Sequence, residues 1–289
     1  MKTSRFLQMS AVMFLAGAAL RLSSLAVANG RRPVTLQFGM PKVQGLHTIS
    51  KLTKRLRVFH PYWLYLVGKR VMDFLIAGTL LLFLAPLMAM IAVMVRLDSP
   101  GGAIFAQERV GARIRVKNGQ KSWEVKPFTI YKFRTMHKNN SSAQHEAFVK
   151  AMINKDEAAM AAIQQQMGGS KMKYKLERDP RVTRVGAFLR KTSLDELPQL
   201  WNVVKGDMSL VGPRPALAYE VDAYQPQHLR RLEAIPGFTG LWQVKARSSV
   251  DFDTMVDLDV EYIDNPSLLQ DLKIIFMTPF AVFKGKGAA

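Results

Sequence analysis

Residues 190–214 read RKTSLDELPQLWNVVKGDMSLVGPR. Two adjacent carboxylates, Asp195 and Glu196, follow a Thr192-Ser193 pair. About twelve mostly helical residues come next, closed by Gly206. A short apolar run then reads as a strand and leads to Arg214, framed by Pro213 and Pro215. The pattern predicts a mixed helix-and-strand unit. Ser193 is placed to cap the helix, and Glu196 three residues later completes a Ser-x-x-Glu capping box. On that reading the acids only satisfy the first turn and its dipole. A second reading comes from the cations around them. Arg190 and Lys191 lie one turn upstream, and a Pro-x-Pro frame restricts the backbone that carries Arg214. A guanidinium held in this way suits phosphate, because its planar fork meets two oxygens at once. Carboxylates beside such cations suggest metal-assisted phosphoryl chemistry.

Composition narrows the classes. There is no cysteine, so disulfides and thiolate metal sites are excluded. The five histidines, His47, His60, His137, His145 and His228, show no ligand spacing, so zinc chemistry finds no support. No Walker loop, dinucleotide glycine pattern or Gly-x-Ser-x-Gly elbow occurs. The net charge is +19, and from Met1 to Met72 there are twelve Lys or Arg and no Asp or Glu. Such a run suits nucleic acid or an anionic membrane. The neighbouring segment decides for the membrane. Phe74 to Val95 is a run of 22 residues without a charge, long enough to reach across a hydrocarbon layer. No nucleic-acid partner is expected, since the aromatic residues precede an apolar helix instead of interleaving with cations on a sheet.

Working upstream, residues 1–58 form a basic N-terminal segment. Phe6 to Leu20 is apolar behind Lys2 and Arg5, and Ala26-Val27-Ala28 has the look of a cleavage site. Arg21 breaks the run, and the segment reads as a weak, uncleaved anchor or a surface-lying stretch. Lys51, Lys54, Arg55 and Arg57 then meet Phe59, Tyr62, Trp63 and Tyr65, a pairing typical of the headgroup level. The membrane helix, residues 70–96, has positive flanks at both ends. Pro86 removes a backbone hydrogen bond near its middle, so a re-entrant helix–break–helix with both ends on the cytoplasmic side is expected, with a straight span as the alternative.

Downstream of that helix, Ala103 to Gln107 and Phe128 to Phe133 read as short strands. Residues 139–171 form an accessory helical insertion, with a helix over Ala143 to Gln166 and a stop at Gly168-Gly169. A C-terminal helix carries an apolar face of Leu268, Leu272, Ile275 and Phe276 with Lys273, Lys284 and Lys286 around it, and reads as interfacial.

The opening stretch, extended to Pro215, is similar to the signature of the bacterial sugar transferases, the monotopic polyprenyl-phosphate phosphoglycosyl transferases. FTIYKFRTM (Phe128 to Met136), PGFTGLWQV (Pro236 to Val244) and LDVEYIDNPSLLQDLKII (Leu258 to Ile275) resemble the same family, in the same order, from about residue 65 to the C-terminus. The family's membrane helix often breaks at Ser-Pro, where this chain has Ala85-Pro86.

The resemblance implies an α+β fold over 59–289: a small membrane-associated catalytic domain with a re-entrant helix and interfacial amphipathic helices. It implies transfer of a phospho-sugar from a UDP-sugar to undecaprenyl phosphate, releasing UMP, at the cytoplasmic face of the bacterial inner membrane. This is the first membrane step of exopolysaccharide, O-antigen or capsule assembly. Asp195 would be the nucleophile of an aspartyl-phosphosugar intermediate. Glu196 would join it in holding Mg2+ or would orient the acceptor. Lys132, Arg134, Arg190, Arg214, Gln243, Arg247, Asp259 and Asp271 are the implied phosphate and substrate contacts. Lys245-Ala246-Arg247 stands where the family has Ser-Gly-Arg, which leaves the sugar open among glucose, galactose and N-acetylated forms. The oligomeric state is open too, a homodimer included. A catalytically silent membrane scaffold is the rival reading. It predicts loss of the Asp-Glu pair, which is intact here.

Overall fold

The computed structural model describes residues 60–117, 120–137, 143–166, 181–246 and 250–283. The chain divides into two units, Met1–Lys42 and Val43–Ala289, and every described residue belongs to the second. The readings of residues 1–59, of Gly168-Gly169, of Arg247 and of Lys284 and Lys286 lie outside the described residues.

Helix α1, His60–Asp98, is 39 residues long and runs without interruption through Pro86. The expected break is therefore absent as a gap in the helix. The proline withdraws one N–H, and packing on both sides of it carries the helix through. Among the described residues α1 is the helix long and apolar enough to cross a membrane. It is not free-standing. Ile76, Ala77, Leu81 and Leu84 pack into the main core, and Leu87, Met88, Ile91 and Val95 pack into a second cluster. These positions recur at three- and four-residue steps, one stripe of the helix. The opposite side leaves Leu75, Leu82, Phe83, Val93 and Leu97 exposed.

A hairpin follows, β1 Ile104–Lys117 against β2 Gln120–Phe133, antiparallel from the Ile104–Phe133 pair to the Lys117–Gln120 pair. It is much longer than the two short strands expected. The distal half is lined with paired charges such as Arg113–Glu124 at 2.9 Å, so its apolar alternation is weak. The insertion is two helices, α2 Ala143–Ile153 and α3 Glu157–Gln166. Lys155, at a φ of 58°, breaks them apart.

Next come α4 Arg184–Thr192, a 3-10 turn Leu194–Glu196, α5 Gln199–Lys205 and β3 Ser209–Val211. Strand β3 pairs in parallel with β4, Gly237–Thr239. Between them lie α6 Ala218–Asp222 and a 3-10 turn His228–Leu232; α7 Leu241–Lys245 and α8 Phe252–Asp264 follow β4. The last helix, α9 Leu268–Phe283, continues through Pro279. It buries Asp271 and Ile274 and exposes Leu269, Leu272, Phe276 and Phe280. The result is the expected mixture of helices with small sheets.

Both ends of α1 are tied to this one body by polar contacts. Near its start, Lys69 pairs with Asp271 at 2.9 Å, and Asp73 accepts from the Leu210 N–H at 3.0 Å. Arg70 donates to the Val203 and Val204 carbonyls at 2.6 and 2.7 Å, closing the C-terminus of α5. Gly206 makes room for that cap. Its φ is 88°, and a Cβ there would sit 3.2 Å from the Arg70 guanidinium. At the far end Asp98 accepts from the Val185 N–H at 3.1 Å, and Arg134 donates to the Val95, Ser99 and Pro100 carbonyls.

Candidate active site

The acidic pair does not begin a helix. Thr183 caps α4, its side chain accepting from the Gly186 N–H at 3.0 Å, and α4 ends at Ser193. Ser193 is left-handed, φ 57°, and makes no side-chain capping bond, so the expected capping box is not formed. A left-handed non-glycine residue costs about 1–2 kcal/mol, and such strain collects where a fold must place a functional group. Here it turns the chain so that Leu194–Glu196 forms a single 3-10 turn between α4 and α5, presenting the two carboxylates at the joint.

The turn is fixed from the side by Asn202, which is fully buried on α5. Its amide donates to the Thr129 carbonyl at 2.6 Å and accepts from the Tyr131 N–H at 3.2 Å. That clamp sets β2 beside the turn and brings Lys132 to Glu196, 2.6 Å apart. Arg214 approaches the same carboxylate oxygen at 3.8 Å.

The neighbours therefore differ electrostatically. Asp195 is buried, yet its carboxylate makes no hydrogen bond among the described residues. Burial first, then the Glu196 charge, push its carboxyl up to about 6, against the pull of Lys132, Arg190 and Arg214. Burial pushes Glu196 upward too, but Lys132, Arg214 and Arg109 outweigh it and hold that carboxyl at about 2. Lys132 is lowered by burial, with Glu196 opposing the shift. One acid is thus tied up as a permanent charge, and the other keeps a basic, unbonded carboxylate.

A cleft opens beside Glu196, lined also by Lys132, Arg214, Gln243, Gln199 and Arg109. Asp195, the neighbouring residue on the same turn, is not among the lining side chains. Lys132, Arg214 and Gln243 are thus gathered at one place. Arg190, in the last turn of α4, reaches Asp195 through its charge. The Gln243 side-chain oxygen is buried with no partner among the described residues, an acceptor awaiting a donor.

A family model described as bacterial sugar transferase matches residues 64–285. The chain belongs to the bacterial sugar transferase family. A galactosyl transferase, CpsE, of Streptococcus agalactiae is 39% identical over 86% of this chain and 49% of the relative. The undecaprenyl-phosphate galactose phosphotransferase of Salmonella typhimurium is 41% identical over 76% of the chain and 41% of the relative. The exopolysaccharide production protein ExoY of Rhizobium meliloti is 39% identical over 77% of the chain and 88% of the relative. The chain thus spans half or less of the first two of these curated relatives and most of the third.

Three residues carried over from the family pattern go elsewhere in the fold. Arg134 is buried, and its guanidinium serves three carbonyls at the end of α1, where a helix terminus leaves acceptors unsatisfied. Asp259 is fully buried against Arg231 at 2.8 Å. Asp271 is fully buried against Lys69 and the hydroxyls of Tyr65 and Tyr262. Asp259 and Asp271 complete buried charge pairs, Arg134 closes a helix end, and none of the three lines the cleft. Arg109 and Gln199 were missed. Arg109 reads in the sequence as a charge flanking the membrane helix; its place on a strand beside apolar Val110 was the available signal.

Proposed function

We propose that the chain transfers a phospho-sugar from a UDP-sugar to undecaprenyl phosphate, releasing UMP, in the initiating step of exopolysaccharide synthesis. The family and the activities for which its relatives are named support the substrates. One observation carries the chemistry: an unbonded, raised carboxylate on Asp195 beside a Glu196 held by Lys132 and Arg214. A basic carboxylate with no hydrogen bonds to break is the better nucleophile of the two.

In the first half-reaction an Asp195 oxygen bonds to the sugar-bearing phosphorus. The bond from that phosphorus to the bridging oxygen breaks, and UMP leaves with the electron pair. In the second, an oxygen of the lipid phosphate bonds to the same phosphorus and the aspartyl P–O bond breaks, regenerating the carboxylate. Lys132 and Arg214 offset the charge that would otherwise repel the diphosphate from two acids. Glu196 holds those cations in place and orients the acceptor.

Magnesium fits the donors present. It favours oxygen ligands and is commonly held by one or two carboxylates plus substrate phosphates. Asp195 and Glu196 supply such a pair, and among the described residues no cluster of three metal-ligating side chains occurs. Bound there, the ion would neutralise phosphate charge.

The fold also supports a monotopic placement in the inner membrane, with the catalytic unit on the cytoplasmic face. Polar contacts hold both ends of α1 to one body, so a straight span would drag part of that body through hydrocarbon. The exposed apolar sides of α1 and α9 would instead enter the leaflet, each Leu or Phe contributing about 1.5–3 kcal/mol. In this arrangement α1 would lie along one leaflet with both ends on the cytoplasmic side, not across the bilayer.

The substrate assignment is tested by giving membranes that contain the protein a panel of UDP-sugars and measuring UMP. Release that depends on undecaprenyl phosphate over many turnovers supports it. Absence of release with every sugar, against a working family member as control, overturns it.

A further inference from the structure

Arg109 is a buried charge without a counter-ion among the described residues. It lies on β1 with 7% of its surface exposed. Its Nε and Nη2 donate to the Gln107 side-chain oxygen at 3.2 and 2.8 Å, and its Nη1 donates to the Pro215 carbonyl at 3.1 Å. Both partners are neutral. Ion pairs engage Lys132, Arg214 and Arg231 around it, but no carboxylate pairs with Arg109. A buried guanidinium held only by neutral acceptors is costly; Arg134 is another, but of the two only Arg109 lines the cleft, where an anion can meet it.

Two further facts say what is missing. A guanidinium has five N–H groups, and the bonds above use three, which leaves two N–H in a cleft that Arg109 helps to line. The cleft lining also carries Lys132 and Arg214 but only one carboxylate, Glu196. Three cations facing one anion match a ligand bearing at least two negative charges. Burial, reinforced by the Arg214 charge, holds Arg109 down at about 10, as expected of a cation that lacks its anion.

We infer that Arg109 grips the diphosphate of the nucleotide substrate through its two unspent N–H groups, with Gln107 holding the guanidinium in position. This rests on the UDP-sugar reading of the cleft. Gln107 and Arg109 stand two apart on a strand and so share a face, which puts the positioning amide beside the fork it steadies. The Pro215 carbonyl links the same guanidinium to the backbone that carries Arg214, so both cations are set by one loop.

The substitution Gln107→Glu tests this with little change in shape. It places a carboxylate where the amide oxygen already sits, and so supplies the missing counter-ion from within. The full-length protein in detergent is titrated calorimetrically with UDP and, separately, with inorganic pyrophosphate, and its thermal unfolding is recorded without ligand. The expected result is a pair of opposite changes. Gln107→Glu unfolds at a higher temperature than wild type, and it binds UDP and pyrophosphate about 10- to 100-fold more weakly, the range for losing a charge-assisted contact. Unchanged affinity for UDP overturns the inference and leaves the cleft reading standing. A lower unfolding temperature also overturns it, because a supplied carboxylate must stabilise an unpaired guanidinium. If wild type binds pyrophosphate but not UDP, and the variant loses it, the Arg109 grip on a diphosphate stands and the nucleotide as its carrier is overturned. Binding of neither by wild type overturns both.

Discussion

Asp195 and Glu196 are adjacent in sequence and opposite in behaviour. On the proposed mechanism ionised Asp195 is the reactive form, and burial with the Glu196 charge pushes its carboxyl up to about 6. The rate of UMP release should therefore be flat above that pH and fall about tenfold per unit below it, as protonation removes the nucleophile. Glu196→Gln removes the negative neighbour and frees Lys132, and both changes lower the Asp195 pKa. The acid limb of the rate profile should move to lower pH in that variant while some activity remains; an upward move would contradict the electrostatics. Arg134 makes the contrasting case. Arg134→Met leaves three helix-end carbonyls unserved and should cost about 1.5–3 kcal/mol in thermal unfolding. The KM for the UDP-sugar should not change, whereas a phosphate contact would raise it. Lys132, Arg214 and Gln243 match the family motif and also face the cleft. Arg134, Asp259 and Asp271 match equally well and do not, because a motif records a residue's presence but not the direction of its side chain.

At the scale of elements, the joint between α4 and α5 was misread and the misreading is informative. Ser-x-x-Glu has the spacing of a capping box, but Pro198 two residues after Glu196 and the left-handed Ser193 divide the stretch into helix, 3-10 turn and helix. Since the Ser193 hydroxyl caps nothing, Ser193→Ala should change stability by less than about 0.5 kcal/mol, where loss of a true cap costs about 1. Ser193→Gly should stabilise by about 0.5–1 kcal/mol by relieving the left-handed strain. Thermal unfolding of the two variants reads both, and a clear loss in the alanine variant would restore the capping role. The hairpin was under-read for a related reason. Residues 113–124 hold their pairing by backbone bonds and cross-strand charges, which leave little trace in hydrophobic alternation.

For the whole molecule, the apolar length of α1 and its basic flanks were plain in the sequence, but its attachment was not. The pairs that fix it, Lys69 with Asp271 and Asp73 with the Leu210 amide, join positions far apart in the chain. Monotopic placement predicts that cysteines at Leu64 and Gly102, both exposed, resist an impermeant thiol reagent in intact cells and react after permeabilisation. Labelling of only one in intact cells would establish a straight span. Such a placement would let one site meet a soluble nucleotide sugar and a lipid phosphate in turn, as the proposed two-step transfer through one carboxylate requires. The most direct test of that step is a trap. The protein is exposed briefly to a UDP-sugar labelled in the sugar, without lipid acceptor, then denatured and digested. A phospho-sugar adduct is expected on the peptide containing Asp195, labile to hydroxylamine and absent from Asp195→Asn. An adduct on Glu196, or none from wild-type protein that is fully active when the acceptor is present, would contradict it.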